Sequence, residues 1–266
     1  MNSLSITSLK NPKIKQLIGL QKLKERKSQQ LFSIEGVREI SLAQQAGFEF
    51  ESIFFCESIY SKDVNYPVNA CANCNTYAIT KELFEKVAYR ESTGGIIAIA
   101  RYKSTSLEYL EVHESPLYLV LEKVEKPGNI GAMLRTADAA GLSGVIICDP
   151  ATDFFNPNVI RSSIGCVFTV PVASTTNETL KDWLIENKIK SFATLLTSNN
   201  NYTESNYRNG SAFLLGSESS GLSTFWQKNA DEHIVIPMLG KIDSMNVSNA
   251  AAVVIYEALR QRNFRQ

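Results

Sequence analysis

This chain of 266 residues has little of what metal and redox sites require. It contains only two histidines and five cysteines, an odd number at irregular spacings. Cys71-Ala-Asn-Cys74 is a lone CxxC pair, and no second pair is present to complete a tetrahedral zinc site. No G-x-G-x-x-G follows a predicted strand, which disfavours a nicotinamide-dependent oxidoreductase. We therefore expect neither a metal site nor a nicotinamide site.

Long apolar runs and net charge are also lacking. No stretch is long enough to span a bilayer, and the first residues lack the apolar run of a signal peptide. With the odd cysteine count, this predicts no membrane association and a reducing, cytoplasmic location. The 27 Lys and Arg residues balance 27 Asp and Glu residues. The charge of the whole chain therefore predicts no polyanionic partner.

Positive charge is nevertheless concentrated near the N-terminus. The basic residues there are Lys10, Lys13, Lys15, Lys22, Lys24, Arg26 and Lys27. Such a segment is suited to contacting nucleic-acid phosphates, but a plain solvated helix has the same composition. Charge alone leaves both interpretations open.

Two α/β domains are predicted from the alternation of apolar strands and helices. The first, 1–102, has strands at 31–34, 52–56, 77–79 and 95–100, and helices opened by Asn11-Pro12, at 37–47 and at 81–87. A polar linker, 103–116, follows. The second, 117–266, has strands at 117–121, 144–148, 167–172, 192–196, 212–215 and 233–236. Its helices are predicted at 129–140, after Asn156-Pro157, at 178–187, near 222–228 and at 247–262. Its apolar strands predict a mainly parallel sheet covered on both faces, with ligands beyond the carboxyl ends of the strands.

Three loops at that edge carry polar residues. In VEKPGNIGAMLRTADAAG, Asn129 stands where a helix N-cap belongs and Gly141 where the helix should end. Arg135 points away from the apolar stripe, as in an anion site or in an ordinary helix with a surface arginine. In LGSESSG, Glu218 follows a strand between glycines that permit close ligand approach.

The third loop, IPMLGKIDSMNVSN, precedes the last helix. Ser244, Asn246 and Ser248 alternate, and one of them is expected to cap that helix. One cap needs one side chain, so the other two are candidates for ligand contact.

The motifs PGNIGAMLRTADAAG, LLGSESSG and IPMLGKIDSMNVSNAAA, in this order and spacing, closely resemble those of the SpoU-like (TrmH-type) RNA ribose methyltransferases of the SPOUT class. The resemblance covers about residues 117–262. Residues 8–100, with FSIEGVR, look like the substrate-binding domain related to L30e-type ribosomal proteins. The resemblance implies S-adenosylmethionine as methyl donor, a ribose 2′-hydroxyl of RNA as acceptor, an obligate homodimer and a deep C-terminal trefoil knot.

Carried over position by position, the resemblance implies two groups of site residues. The catalytic group is Asn129, Arg135, Glu218, Ser244 and Asn246. The cofactor-binding group is Leu215, Gly216, Ile236 and Met245. The candidates for RNA binding are Lys22, Lys24, Arg26 and Lys27 of the basic N-terminal segment and Arg38 of the FSIEGVR stretch. Because a guanidinium stays protonated, we expect Arg135 to clamp a phosphate and stabilise alkoxide charge, oriented by Asn129 and Glu218, rather than to act as a simple base.

Two positions depart from the family pattern. Lys126 precedes the proline where many members have aspartate, and Met245 replaces the usual leucine, a volume-conserving change. Ribosomal RNA is the expected substrate, and transfer RNA remains an alternative. A non-catalytic RNA-binding protein would not need all three loops. A methyltransferase acting on a small molecule or a protein would not need the basic N-terminal domain.

Overall fold

A computed structural model describes residues 4–60, 74–88, 94–150 and 152–265. Its contacts divide the chain into two units, Met1–Lys103 with Asp153–Thr169, and Ser104–Thr152 with Val170–Gln266. This division differs from the predicted domains in two places. The segment predicted as a linker belongs to the second unit, and Asp153–Thr169, taken from the middle of the predicted second domain, belongs to the first.

The first unit is a mixed sheet with short helices. Its strands and helices are β1 (Leu4–Ile6), α1 (Pro12–Gly19), α2 (Leu23–Gln29), β2 (Leu31–Glu35), α3 (Val37–Gln45), β3 (Phe50–Phe55), β4 (Asn75–Ile79), α4 (Lys81–Val87), β5 (Ile96–Arg101) and α6 (Pro157–Ser162), the last from Asp153–Thr169. The order of the sheet is β1-β4-β3-β5-β2. Strand β1 was not predicted. The predicted helix starts at Asn11 and Asn156 are confirmed, since each side chain accepts from a backbone N–H two residues on, beside a proline at the first helical position.

Aromatic side chains fill one side of this unit. Phe155 stacks on Phe32 with ring centroids 4.5 Å apart, and Phe168 meets Phe48 edge-on at 5.2 Å. Tyr102 completes the cluster, 4.8 Å from Phe155. Because these rings need one another for burial, Asp153–Thr169 is a structural part of the first unit.

Arg26 lies inside this unit, with 1% of its surface exposed. Its guanidinium donates to the carbonyls of Leu20 at 3.0 Å and Gln21 at 2.8 Å, and pairs with Asp153 at 2.7 Å. All of these contacts are internal, so a phosphate has no access to the guanidinium. The prediction that Arg26 binds RNA is therefore wrong.

The second unit is built on a parallel sheet. Its elements are β6 (Leu117–Glu122), α5 (Pro127–Ala140), β7 (Gly144–Cys148), β8 (Val172–Thr175), α7 (Asn177–Glu186), β9 (Lys190–Thr194), β10 (Ser211–Leu215), α8 (Thr224–Asn229), β11 (Glu232–Ile234) and α9 (Val247–Gln261). The strand order is β11-β9-β10-β6-β7-β8, and each pairing between these strands is parallel. The predicted α/β class with a mainly parallel sheet is confirmed.

Three local predictions for these segments are wrong. Helix α5 starts at Pro127, with Lys126 as its N-cap, so Asn129 is its third residue and not its cap. Proline is favoured at the first helical position because its missing N–H would be unpaired there anyway. The predicted strand 167–172 is a short 3-10 helix, Cys166–Phe168, in the first unit, and β8 begins only at Val172. Two of the predicted strands, 192–196 and 233–236, end earlier than predicted, at Thr194 and Ile234.

Part of the segment 104–116 is packed into the core of the second unit. A 3-10 helix, Leu107–Tyr109, buries Leu107, and Leu110 is buried beside it. Both join the core cluster under α7 and α8 with Tyr118 and Val120 of β6. None of the helices within the described ranges has the length and apolar character needed to cross a membrane.

Candidate functional site

At the centre of the parallel sheet, between β6 and β10, the order in which strands are added to the sheet reverses. From β6 the sheet continues to β7 and β8 on one side, whereas β10, β9 and β11 lie on the other. In open parallel sheets, ligands bind beyond the carboxyl ends of the strands at such a reversal. The loops that follow β6 and β10, which carry the first two motifs, leave the sheet at this point.

One residue from each motif meets there. The side-chain amide of Asn129 donates to Glu218 in a close hydrogen bond, and the side-chain amide of Asn246 donates to Oδ1 of Asn129 at 3.2 Å. These three residues are far apart in the chain, so their contact depends on the complete sheet. The predicted grouping of Asn129, Glu218 and Asn246 is present in the fold, although their predicted roles are not tested by it.

Beside these residues lies a cavity of about 390 Å³. Its walls come from the ends of β9 and β10, the second motif, the third motif and the start of α9; the lining residues include Thr194, Leu215, Gly216, Glu218, Met245 and Ala250. A smaller cavity of about 60 Å³ shares part of this wall and is also lined by Ile236. The four predicted cofactor-binding residues thus lie around these two cavities.

The second-motif loop is folded tightly on itself. Gly221 N–H donates to the Ser217 carbonyl at 2.9 Å, and the Ser217 hydroxyl contacts that of Ser220 at 2.8 Å. A Cβ placed on Gly216 would lie 2.0 Å from the Gly221 carbonyl carbon. Glycine is therefore required at 216 for the close approach of two backbone segments.

Asn246 serves two functions at once. Its side-chain oxygen accepts from the backbone N–H of Ser248 at 2.9 Å, which makes it the N-cap of α9, while its amide reaches Asn129. Ser248 donates its own hydroxyl to the same oxygen at 2.6 Å. Ser244 lines both cavities but, among the described residues, hydrogen-bonds to none of the other site residues.

Arg135 is exposed on α5 and does not line the cavity. Within the described part of the chain its guanidinium has no hydrogen-bond or ion-pair partner. Asn129 and Glu218 bond to each other instead. The prediction that these two residues orient Arg135 is therefore wrong for a single chain, and Arg135 is left available to an incoming anion.

Cysteine chemistry plays no part at this edge. Cys56, Cys148 and Cys166 are buried and form no disulfide. At the end of β7, burial raises the pKa of the Cys148 thiol well above its usual range, with Asp149 adding to the shift. A thiol held protonated is neither a nucleophile nor a metal ligand. In the ranges that the structure describes, no group of His, Cys, Asp or Glu is arranged to hold a metal. Cys74 is disulfide-bonded, and Cys71 lies outside the described residues.

Sequence reasoning missed part of the cavity wall. Thr194, the last residue of β9, and residues 195–197 after it line the larger cavity together with Gln227 of α8. The predicted strand ran through them to residue 196, which concealed the loop. The available signal was position, since every loop at the carboxyl edge next to β10 is a candidate wall.

The basic residues of the first unit differ in exposure. Lys22, Lys24, Lys27 and Arg38 are exposed, whereas Arg26 is buried. The four exposed side chains remain candidates for contact with RNA phosphates.

Comparison with known proteins agrees with this geometry. The model of the SpoU rRNA methylase family matches residues 116–256, more than half of the chain. The chain belongs to the SpoU rRNA methylase family. A model of the MRM3-like substrate-binding domain matches residues 11–98 of this SpoU chain. The predicted family, with a substrate-binding domain ahead of the methylase domain, is confirmed.

Individual relatives of this SpoU chain are similar along nearly its whole length. It is 30% identical to the 23S rRNA guanosine 2′-O-methyltransferase RlmP of Bacillus subtilis, over 94% of this chain and 97% of that protein. A crystal structure of an RNA 2′-O ribose methyltransferase is 37% identical with a TM-score of 0.83, covering 98% of this chain and 100% of that one. The SpoU methyltransferase AviRb from Streptomyces viridochromogenes, solved with AdoMet, is 26% identical with a TM-score of 0.88, covering 97% and 100%.

Proposed function

We propose that this protein is an S-adenosylmethionine-dependent methyltransferase that modifies a ribose 2′-hydroxyl of ribosomal RNA. The observation that carries the proposal is the contact of Asn129, Glu218 and Asn246, one from each motif, beside the cavity at the centre of the sheet. Support for the reaction comes from the similarity to RlmP, a 23S rRNA guanosine 2′-O-methyltransferase, and support for the cofactor from the AdoMet complex of AviRb. The alternative substrate is transfer RNA, and site mapping distinguishes the two.

The cavity fits the cofactor in size and character. About 390 Å³ lies within the range of small-molecule sites, and the wall combines apolar side chains with backbone groups of the second-motif loop. Gly216 and Gly221, whose backbones approach each other closely, both line the cavity. When bound, S-adenosylmethionine supplies an electrophilic methyl group on a sulfonium. Leu215, Gly216, Ile236 and Met245 would hold it.

The residues of this chain then have to position and activate the ribose hydroxyl. A hydroxyl becomes a useful nucleophile only as its proton leaves. Arg135 is a cationic side chain that is exposed and has no partner among the described residues, so it is suited to clamp an RNA phosphate and stabilise the developing alkoxide. The contact of Asn129 with Glu218 and Asn246 fixes the rim against which the ribose rests.

Labelled-methyl transfer to RNA from a strain lacking this protein tests the proposal. Wild-type protein should label ribosomal RNA at one site that resists alkaline cleavage. Arg135→Ala should lose about 10²–10³ in rate and keep its cofactor affinity, because Arg135 does not line the cavity. Methyl transfer to tRNA alone would show that tRNA, and not ribosomal RNA, is the substrate. The absence of both transfer and cofactor binding would refute the enzyme and leave an RNA-binding protein.

Arg135→Lys separates two kinds of arginine role. Lysine keeps the charge but cannot form the two parallel hydrogen bonds that a guanidinium makes with phosphate. We expect Arg135→Lys to be nearly as slow as Arg135→Ala. A near-normal rate would contradict both the clamp and a base role.

We propose that RNA is recognised by the first unit through Lys22, Lys24, Lys27 and Arg38. Their exposure and the match to a substrate-binding domain support this assignment. Binding through phosphates should weaken steeply with added salt. A salt-independent affinity would contradict it.

We further propose a homodimer, a trefoil knot in the C-terminal part of the chain and a cytoplasmic location. The family supports all three, and the exposed apolar side chains of Leu239, Ile242 and Tyr256 support a covered surface on the second unit. Light scattering tests the dimer, experimental tracing of 216–250 tests the knot, and cell fractionation tests the location.

A further inference from the structure

A buried carboxylate stands directly behind the second-motif loop. Glu122 is the last residue of β6 and is 1% exposed. It follows Tyr118 and Val120 on the sheet face that α7 and α8 cover, since alternate residues of a strand share a face. Burying a carboxylate is costly unless donors satisfy it, so its surroundings must account for its presence.

Glu122 accepts three hydrogen bonds and, within the described part of the chain, has no cationic partner. Asn177, the first residue of α7, donates to Oε1 at 2.7 Å. Ser223 donates its hydroxyl to Oε1 at 2.6 Å and its backbone N–H to Oε2 at 2.7 Å. Both donors of Ser223 are therefore directed at this one side chain.

Ser223 ends the loop that forms the cavity wall. Residues 216–222 line the cavity, and Ser223 is the N-cap of α8. Its hydroxyl does not cap that helix, because it is bonded to Glu122. The side chain and N–H of Ser223 thus tie the C-terminal end of the loop to β6, while its carbonyl accepts from Gln227 of α8 at 3.1 Å.

We propose that Glu122 is a positioning residue that holds the loop 216–222 in the shape that binds the cofactor. It touches neither the cavity nor the contact of Asn129 with Glu218, and acts through Ser223. The inference rests on the proposed cofactor site. It adds to that site a control of the second-motif loop by β6, the strand that precedes the first motif.

Asp149 offers a matched control. Its carboxylate accepts from the same Asn177 amide at 2.8 Å, but no contact joins it to Ser223 or to the loop. Asparagine tolerates the left-handed backbone of Asp149, whose φ is 48°. Asp149→Asn therefore perturbs the same buried cluster while leaving the loop anchor intact.

Glu122→Gln cannot satisfy all three donors. Whichever way the amide is turned, its NH₂ faces the backbone N–H of Ser223 or the amide of Asn177. Ser223→Ala removes one donor without altering the carboxylate, which covers the case in which Glu122→Gln folds poorly. Ser223→Thr keeps both donors and should rescue the wild-type behaviour.

The first measurement is hydrogen exchange of the amides in 216–223 in the absence of cofactor. Glu122→Gln and Ser223→Ala should each speed exchange about tenfold, the effect of losing one hydrogen bond to a charged group. Asp149→Asn and Ser223→Thr should leave it unchanged. Equal exchange in wild type and Glu122→Gln, or equal acceleration in Asp149→Asn, overturns the proposal.

The second measurement is calorimetric titration with S-adenosylmethionine, combined with rates at saturating cofactor. Glu122→Gln should weaken affinity about tenfold with little change in kcat, and the double variant with Ser223→Ala should be no weaker than either single one. Unchanged affinity or additive losses would overturn the positioning role. If wild-type protein bound no cofactor, the proposed function would fail, while exchange would still decide whether Glu122 anchors the loop.

Discussion

Arg26 shows how one side chain can carry a structural charge within a basic segment. Its partner, Asp153, lies 127 residues further along the chain, and both side chains are largely buried. Removing one partner of such a pair leaves the other charge buried and unpaired. The adjacent Lys27, by contrast, is exposed.

We expect Arg26→Ala to lower the free energy of unfolding by about 3–5 kcal/mol. Lys27→Ala should leave stability unchanged and weaken RNA binding. Chemical denaturation and filter binding of both variants measure the two effects. A stable Arg26→Ala protein with weakened RNA binding would show that Arg26 contacts RNA and contradict its structural role.

Gly216 gives a second residue-scale prediction. Gly216→Ala places a methyl group 2.0–2.2 Å from backbone atoms of Gly221 and Leu222, so the loop must shift. Cofactor affinity should fall by at least about tenfold, as measured by calorimetry. The control is Gly128→Ala, where no atom lies within 4 Å and alanine suits the helix. Equal affinities in the two variants would contradict this account of the loop.

At the scale of elements, helix α9 links a cap at the site to a charge cluster near its other end. Glu257 accepts from Arg260 through two hydrogen bonds of 2.8 Å and from Gln261 at 2.8 Å. The hydrogen bonds from Arg260 lower the pKa of the Glu257 carboxyl from its ordinary value of 4.5. Its stabilising effect is therefore present above about pH 4.5 and is lost as the pH falls through the lowered value.

We expect the thermal midpoint of wild-type protein to fall between pH 5 and pH 3 more steeply than that of Glu257→Gln. The thermal midpoints of the two proteins should converge at the acidic end, because Glu257 becomes neutral there and the glutamine is neutral at every pH. Glu186→Gln, at an exposed carboxylate of α7, should retain the wild-type slope. Parallel slopes for all three proteins would show that Glu257 contributes nothing to acid stability.

Most elements were predictable because their patterns are local. The apolar strands β6, β7 and β10, the helix start at Asn11 and the end of α5 at Gly141 each follow from a few adjacent residues. The site was predictable in part, since the carboxyl ends of parallel strands share an edge. Glu122 was not, because an acidic residue at a strand end gives no sign of a serine a hundred residues later.

The wrong prediction of a strand at 167–172 has a physical cause. An apolar run such as 167–172 is compatible with a strand or a helical turn, and its burial partners decide between them. Here Phe168 packs on Phe32 and Phe48 of the first unit, after Gly165 turns the chain with φ of 85°. That long-range packing cannot be inferred from the local pattern.

At the scale of the molecule, the two units are interleaved in sequence. The chain leaves the second unit after Thr152 and returns at Val170, and the excursion packs in the first unit. A fragment beginning at Ser104 would therefore expose Phe155 and Phe168. We expect it to bind a hydrophobic dye and aggregate, and to do so less when both phenylalanines are replaced by serine. A monomeric fragment that melts cooperatively would show that the excursion folds without the first unit.

The cavity wall draws on residues from Thr194 to Ala250, and the rim needs Asn246. During synthesis the ribosome delivers these pieces in order, at about 5–20 residues per second. The residues that form the cofactor site are therefore all present only near the end of synthesis. Cofactor binding therefore cannot stabilise the shorter nascent chains, and a chain that ends before Ala250 lacks part of the cofactor site. The ability to bind the cofactor is acquired in a single late step.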